Sequence, residues 1–113
     1  MKQGTREELA DFLRFCASER RLAPMTCSAY ERDVSACLDY LRGEGIELAE
    51  VKVTHLRAFL AEEQKRRPAV SSQARATAAL KCFFRFLVEE ERLVRDPALP
   101  LRTTKKREAL PTC

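Results

Sequence analysis

Apolar residues recur along this chain at helical spacing, in four stripes separated by polar, glycine or proline breaks. In the first, Leu9, Phe12, Leu13 and Cys16 line one side of a helix that the pattern starts at Thr5. Thr5 and Glu8 have the spacing of a capping box, in which hydroxyl and carboxylate each take a free backbone N–H. The second stripe holds Cys27, Tyr30, Val34, Cys37, Leu38 and Leu41. It starts at Ala23 with Pro24 in the first turn, where a missing N–H breaks no hydrogen bond. Gly43 and Gly45 end it, because glycine adopts the left-handed conformation of a helix C-terminus. After a loop at 46–53, Thr54 is the candidate N-cap of a third helix that turns Leu56, Phe59 and Leu60 inward. That helix is expected to fray across 62–67 and to stop at Pro68, whose ring drives the preceding residue out of the helical region. The fourth starts at Ser71 or Ser72, runs to about Glu91 and buries Ala76, Leu80, Phe83 and Leu87, with Ala79 and Phe84 beside them. Asp96-Pro97 and Leu99-Pro100 then break the chain. No alternating Val/Ile/Thr run reads as a strand. The expectation is an all-α bundle of four to five helices over residues 1–100, followed by a basic linker at 101–113.

Length bounds the function. The 113 residues suffice for one domain with a modest core, not for two layers around an internal active site. The formal charge of +4 is unevenly placed. Residues 1–91 carry 15 basic and 15 acidic side chains, whereas residues 92–113 carry six basic residues against Asp96 and Glu108. A neutral body with a basic end points to nucleic acid less strongly than a basic face would. The five cysteines (Cys16, Cys27, Cys37, Cys82 and Cys113) are odd in number and lack paired spacing, which argues against a disulfide framework. Without a C-x-x-C, and with His55 as the single histidine, zinc has no ligand set. Reduced thiols suit the cytosol. The charged N-terminus does not read as a signal peptide, and no apolar run approaches the roughly 20 residues of a membrane span.

Charge changes the picture most on the fourth helix. Ser71, Arg75, Ala78, Cys82 and Arg85 fall on one stripe, opposite Leu80 and Leu87, and no acid occurs between Ser71 and Val88. Small side chains bracketed by serine and arginine let a helix come close to phosphates or a groove edge. Arginine can also read guanine with two hydrogen bonds. The same pattern fits a solvated face that is merely short of acids. The second helix mixes signs, with Glu31, Arg32, Asp33, Asp39 and Arg42. Arg75 therefore has another option, an ion pair with a helix-two acid such as Glu31.

Two stretches carry a family resemblance. One reads A-P-M-T-C-S-A-Y-E-R-D-V from Ala23, the other S-S-Q-A-R-A-T-A-A-L-K-C-F-F-R-F-L from Ser71. They resemble the two helices that tyrosine recombinases of the phage-integrase and Xer type lay against DNA. In that family the second helix opens with a cap, then a threonine, then a tyrosine four residues on and a basic-acidic pair. Here those places hold Ala23, Thr26, Tyr30 and Arg32-Asp33, and Ala23 departs from the usual serine. The family's fourth helix has a serine pair, an arginine and a run like S-A-L-R-x-F-Y-x-F-L, seen here from Ala78 to Leu87. The family's N-P-A is similar to Asp96-Pro97-Ala98, and its linker lysine and closing L-P to Lys105, Lys106, Leu110 and Pro111. The likeness extends from Leu9 to Pro111.

The resemblance implies a SAM-like core-binding domain that forms one jaw of a C-shaped clamp on a recombination half-site. It places Thr26, Ser28, Tyr30, Ser71, Ser72 and Arg75 at contact or support positions. Lys81 and Arg85 are phosphate candidates, and Lys105 and Lys106 lie where the linker follows the duplex. The implied partners are double-stranded DNA, the C-terminal catalytic domain of the parent chain and further recombinase protomers. The family's chemistry needs a tyrosine nucleophile, two arginines and a histidine, all in that C-terminal domain. This chain is therefore expected not to cut DNA by itself and to need no cofactor. Plainer roles stand beside these. Tyr30 also lies on the apolar stripe, Thr26 fits a bond within its own helix turn, and Ser71 and Ser72 fit ordinary N-caps. The alternative function is a helical protein–protein module that binds a partner helix in a groove. A helix-turn-helix regulator needs a shorter turn than 43–53 or 63–69 provides. The DNA reading expects the outward sides of helices two and four to lie together as one acid-poor shelf.

Overall fold

The computed structural model describes residues 3–101, with side chains from Glu7 onward. Among these residues there are four α-helices and no strand: α1 (Gln3–Ser18), α2 (Pro24–Gly43), α3 (Val53–Arg66) and α4 (Val70–Glu89). A single 3-10 turn at Leu48–Glu50 interrupts the loop between α2 and α3. The chain is an all-α bundle.

Helix α4 is its centre. α1, α2 and α3 all pack on it, and it is accordingly apolar on more than one face. Phe83, Phe84, Leu80 and Leu87 are fully buried, and so is Ala79. An aromatic chain ties α1 to α4: Phe15 to Phe86 (4.9 Å), Phe86 to Phe12 (5.7 Å), Phe12 to Phe83 (5.3 Å, edge to face). Tyr40 on Phe59 (5.7 Å) joins α2 to α3. The stripes predicted for α1 to α3 face this core, with Leu9, Leu13, Cys27, Tyr30 and Leu60 at its margin. Cys16, Cys37 and Cys82 are buried free thiols and Cys27 is half-buried. Burial, aided by the carboxylate of Glu63, pushes the Cys37 thiol far above its ordinary range. No described helix is long and apolar enough to cross a membrane.

The helix ends show local chemistry that the apolar pattern placed only partly. α2 begins at Pro24 behind an extended Ala23, as expected. Its C-terminus is a Schellman motif. Ile46 N–H donates to Leu41 O (2.9 Å) and Gly45 N–H to Arg42 O (3.1 Å), with Gly45 at φ +73°. α4 closes with the same pair of bonds, Arg92 N–H to Leu87 O and Glu91 N–H to Val88 O, but Glu91 holds the left-handed position at φ +61°. Helix α1 begins at Gln3, so Thr5 lies inside it rather than at its cap. Helix α3 is capped at Lys52, not Thr54. The reason is His55, whose Nδ1 accepts the Lys52 backbone N–H at 3.0 Å and does the work of the capping-box carboxylate. α3 does not fray at 62–67 but stays helical to Arg66, because Glu63 is buried and pairs with Arg66 at 3.2 Å. α4 starts at Val70, so Ser71 and Ser72 are in its first turn and Ala69 is the cap.

Beyond α4, Arg92 reaches back to α1. Its Nη2 donates to Asp11 Oδ2 at 2.7 Å, its Nη1 lies 3.7 Å from Glu8 Oε2, and its guanidinium sits 5.8 Å from the Phe86 ring centre. The hydrogen bond from Arg92 holds the Asp11 carboxyl below its ordinary value, while burial pushes Glu8 up despite the same arginine. The two act oppositely on stability. Asp11 stabilises the fold above its unfolded pKa, and this fades as pH falls through its lowered folded value. Glu8 favours folding below its unfolded pKa, and this fades as pH rises through its raised folded value. Arg92→Gln should therefore lower the melting temperature at pH 7. The gap to the unaltered protein should narrow as pH falls from 4 toward 2, since Asp11 is then protonated in both. Thermal melts across this range check it, and a gap of constant size contradicts it.

Candidate nucleic-acid interface

The best-defined polar cluster of the molecule lies where α2 crosses α4. On α2, Thr26, Tyr30 and Asp33 follow one another at i, i+4 and i+7 and share a face. Asp33 is an acid set into that otherwise apolar side, between Tyr30 and the buried Val34 and Cys37. It is answered from α4 by Arg75. Arg75 Nε donates to Asp33 Oδ2 at 2.9 Å and Nη2 to Oδ1 at 3.2 Å, a two-bonded fork. The Asp33 side chain is only 5% exposed, whereas that of Arg75 is 34% exposed. A carboxylate this buried needs such a partner, because an unpaired charge out of water is strongly unfavourable. The hydrogen bond to Asp33, reinforced by the charge of the same carboxylate and only partly opposed by burial, holds the guanidinium more firmly in its charged form.

The fork fixes the plane of the guanidinium. Nε and Nη2 are committed to Asp33, and Nη1 is not part of the fork. The group is thus an oriented cation with one side held by protein and about a third of its surface in solvent.

The starts of both helices share a feature of their own. Ala23 and Ala69 stand at the cap positions, and neither helix has a side-chain cap bond or an acid in its first turn. First-turn N–H groups have no partner within their helix and carry the positive end of its dipole. Acids usually collect there, and here they do not. Thr26 is the third residue of α2 and half-buried. Ser71 and Ser72 are the second and third of α4, Ser71 exposed and Ser72 half-buried.

Other expected positions are not gathered into this cluster. Ser28 is exposed but about 200° round α2 from Thr26, on the opposite side. Arg85 is about 15 Å along α4 from Arg75, exposed, and bonded to Glu89 at 3.1 Å. Lys81 turns its ammonium to the backbone after α4, onto the carbonyls of Ala98 (3.4 Å), Leu99 (3.2 Å) and Leu101 (2.8 Å). Cys82 is 4% exposed, so the α4 stripe is not one continuous outward surface. Its middle is cut because α4 is packed from three directions. Lys105 and Lys106 lie outside the described residues.

The expectation of one acid-poor shelf is not met as stated: Arg75 is paired with a carboxylate at the junction, Cys82 is buried in the middle of the α4 stripe, and Lys81 and Arg85 are engaged elsewhere. The two helices do pack together, and α4 carries no acid before Glu89 at its last residue, but α2 places Asp33 at the junction. The acid is Asp33 rather than Glu31, because Glu31 lies about 200° away on the exposed side of α2. Asp33 is the residue that the reading of the sequence missed as part of the site. Its signal was present: a single acid spaced i+3 from Tyr30 and i−4 from Cys37, within an apolar stripe.

Comparison with known proteins gives this geometry a setting. The profile of the family described as phage integrase, N-terminal SAM-like domain, matches residues 9–91. Tyrosine recombinase XerD of Brucella abortus biovar 1 (strain 9-941) is 37% identical over 103 residues, which are 91% of this chain and 33% of that protein. Tyrosine recombinase XerC of Roseiflexus castenholzii is 37% identical over 107 residues, 93% of this chain and 34% of that protein. XerC of Bradyrhizobium diazoefficiens is 36% identical over 111 residues, 93% and 35% respectively. The chain thus spans about a third of the length of the curated relatives it matches. The matched segment contains α2 and α4 entire, together with the Asp33–Arg75 fork that joins them, and on these findings the chain belongs to the phage integrase N-terminal SAM-like family.

Proposed function

We propose that this domain binds duplex DNA as one jaw of a tyrosine-recombinase clamp, with the crossing of α2 and α4 as its contact face. The observation that carries the reading is the fork between Arg75, about one-third exposed, and the buried Asp33. A free surface arginine must lose side-chain freedom when it binds, whereas this guanidinium is already aimed. Nη1 is the group offered to a phosphate oxygen or a guanine edge. The uncapped, acid-free first turns of α2 and α4 take phosphates through their N–H groups, with Thr26, Ser71 and Ser72 adding hydroxyl donors. Because Asp33 cancels the formal charge of Arg75, attraction to DNA is modest and comes from several weak contacts.

In this reading the parent protein recombines DNA at a specific site in the cytosol, through a covalent phosphotyrosine intermediate and alongside further protomers. This domain supplies binding and not the strand cut. Two observations support that division. His55 is used by the N-terminus of α3, and Tyr40 packs on Phe59.

The test is fluorescence anisotropy of the 113-residue chain on a labelled duplex of about 30 base pairs. Binding should be sequence-tolerant, near the 10⁻⁴ to 10⁻⁶ M range of non-specific complexes, and should weaken as salt rises through counterion release. A flat trace at 50 mM salt up to about 100 μM protein overturns the DNA role and leaves the protein–protein alternative.

A further inference from the structure

We propose that Lys81 is a clasp which fixes the orientation of the turn at 98–101 against the helical body. Its ammonium has three N–H donors, and three backbone carbonyls from one short turn converge on it: Ala98, Leu99 and Leu101 at 3.4, 3.2 and 2.8 Å. The turn is closed from its other side as well. Asp96 Oδ1 accepts the Ala98 N–H at 2.9 Å, and Leu101 N–H donates to Ala98 O at 3.0 Å. Ala98 is fully buried and Leu101 is 6% exposed, so two apolar anchors hold the same four residues against the bundle.

These parts have separate jobs. The anchors set how close the turn lies to the body. The clasp sets its rotation, because carbonyls that face one cation must all point the same way. Lys81 is on α4, the most buried helix, so its stem is firmly based. The orientation of the backbone at 98–101 is therefore dictated by α4. The inference does not rest on DNA binding by the α2–α4 face.

The test is amide hydrogen exchange on the 113-residue chain, beside tryptic cleavage after Arg102. In the unaltered protein the Leu101 and Ala98 amides should exchange much more slowly than in a free peptide. Lys81→Met keeps the stem and removes the three donors. It should speed exchange at Ala98 and Leu101 about tenfold, speed cleavage after Arg102, and leave the amides of Leu56 and Leu80 protected as before. Lys81→Arg, which retains donors, should recover part of the protection. Unchanged exchange in Lys81→Met overturns the clasp. So does a variant that keeps full protection of the turn but loses about one unit of salt slope on duplex DNA, since the ammonium would then serve a phosphate. Should Lys81→Met fail to fold, Lys81→Gln takes its place: faster exchange at Ala98 and Leu101 than in the unaltered protein supports the proposal, and unchanged exchange there overturns it.

Discussion

Phe83→Ala should remove about 3–5 kcal/mol of stability, the largest loss expected from any single substitution in this molecule. Phe83 is fully buried in the C-terminal half of α4, edge-on to Phe12 of α1 (5.3 Å) and to Phe84 (5.1 Å). Truncation loses the transfer energy of the ring, leaves a cavity, and removes two aromatic contacts worth about 0.5–1.5 kcal/mol each. Domains of this size are stable by only about 5–15 kcal/mol in total. The midpoint of thermal unfolding should consequently fall by about 15–30 °C. Phe83→Leu fills much of the space and should cost less, about 1–1.5 kcal/mol. Urea titration followed by circular dichroism measures both. If Phe83→Ala cost under about 1 kcal/mol, the aromatic chain from Phe15 to Phe83 would not be what fastens α1 to the bundle.

The position of Phe83 was legible before any coordinates, and the reason is general. A buried helix face repeats every three to four residues, so Ala76, Leu80, Phe83 and Leu87 announce themselves by spacing. The same rule found the inward sides of α1, α2 and α3. What it could not supply is the number of neighbours. α4 touches three other helices, so Cys82 and Thr77 are buried on sides that a two-sided wheel assigns to solvent or leaves undecided. Helix ends were legible only where one residue type dictates the geometry. Pro24 and Gly45 behave as their backbones require. Thr54 does not cap α3 because a histidine three residues after Lys52 supplies an acceptor, a pairing that the usual capping pattern does not include.

The candidate site shows the same division. Tyr30 and Arg75 were both picked out from the sequence, and the fold brings them to one place. Their link through Asp33 was not, because an ion pair between residues 42 positions apart depends on how two helices cross. Periodicity fixes the face of each helix and says nothing of the rotation of one against the other. The bonds of Lys81 to the Ala98, Leu99 and Leu101 carbonyls were hidden for the same reason. A lysine on a helix reads as a cation for solvent or phosphate until the chain that turns back over it is seen.

The Asp33–Arg75 fork should prove to be both a strut and a contact, and substitution can separate the two roles. Arg75→Met leaves the buried Asp33 carboxylate without its partner. Breaking a fully buried pair costs about 3–5 kcal/mol. Here the arginine is one-third exposed, so about 2–3 kcal/mol is expected. Asp33→Asn removes the charge but keeps an oxygen for one hydrogen bond, and Arg75 can turn partly to water, so about 1–2 kcal/mol is expected. Asp33→Leu combined with Arg75→Met replaces the pair by apolar groups in a largely buried site. It should recover most of the loss, with a coupling energy of about 1.5–3 kcal/mol in the double-variant cycle. Urea titrations give all of these values. DNA binding then divides the roles. Arg75→Met should weaken duplex binding and lower the salt slope by about one. Asp33→Asn releases a net positive charge and should bind at least as tightly at low salt, with less discrimination between duplex sequences because the guanidinium is no longer aimed. The combined variant is decisive, since it restores the fold without restoring the cation. If it is as stable as the unaltered protein and also binds duplex as well, Arg75 is a strut alone, and the contact face must be sought elsewhere on the bundle.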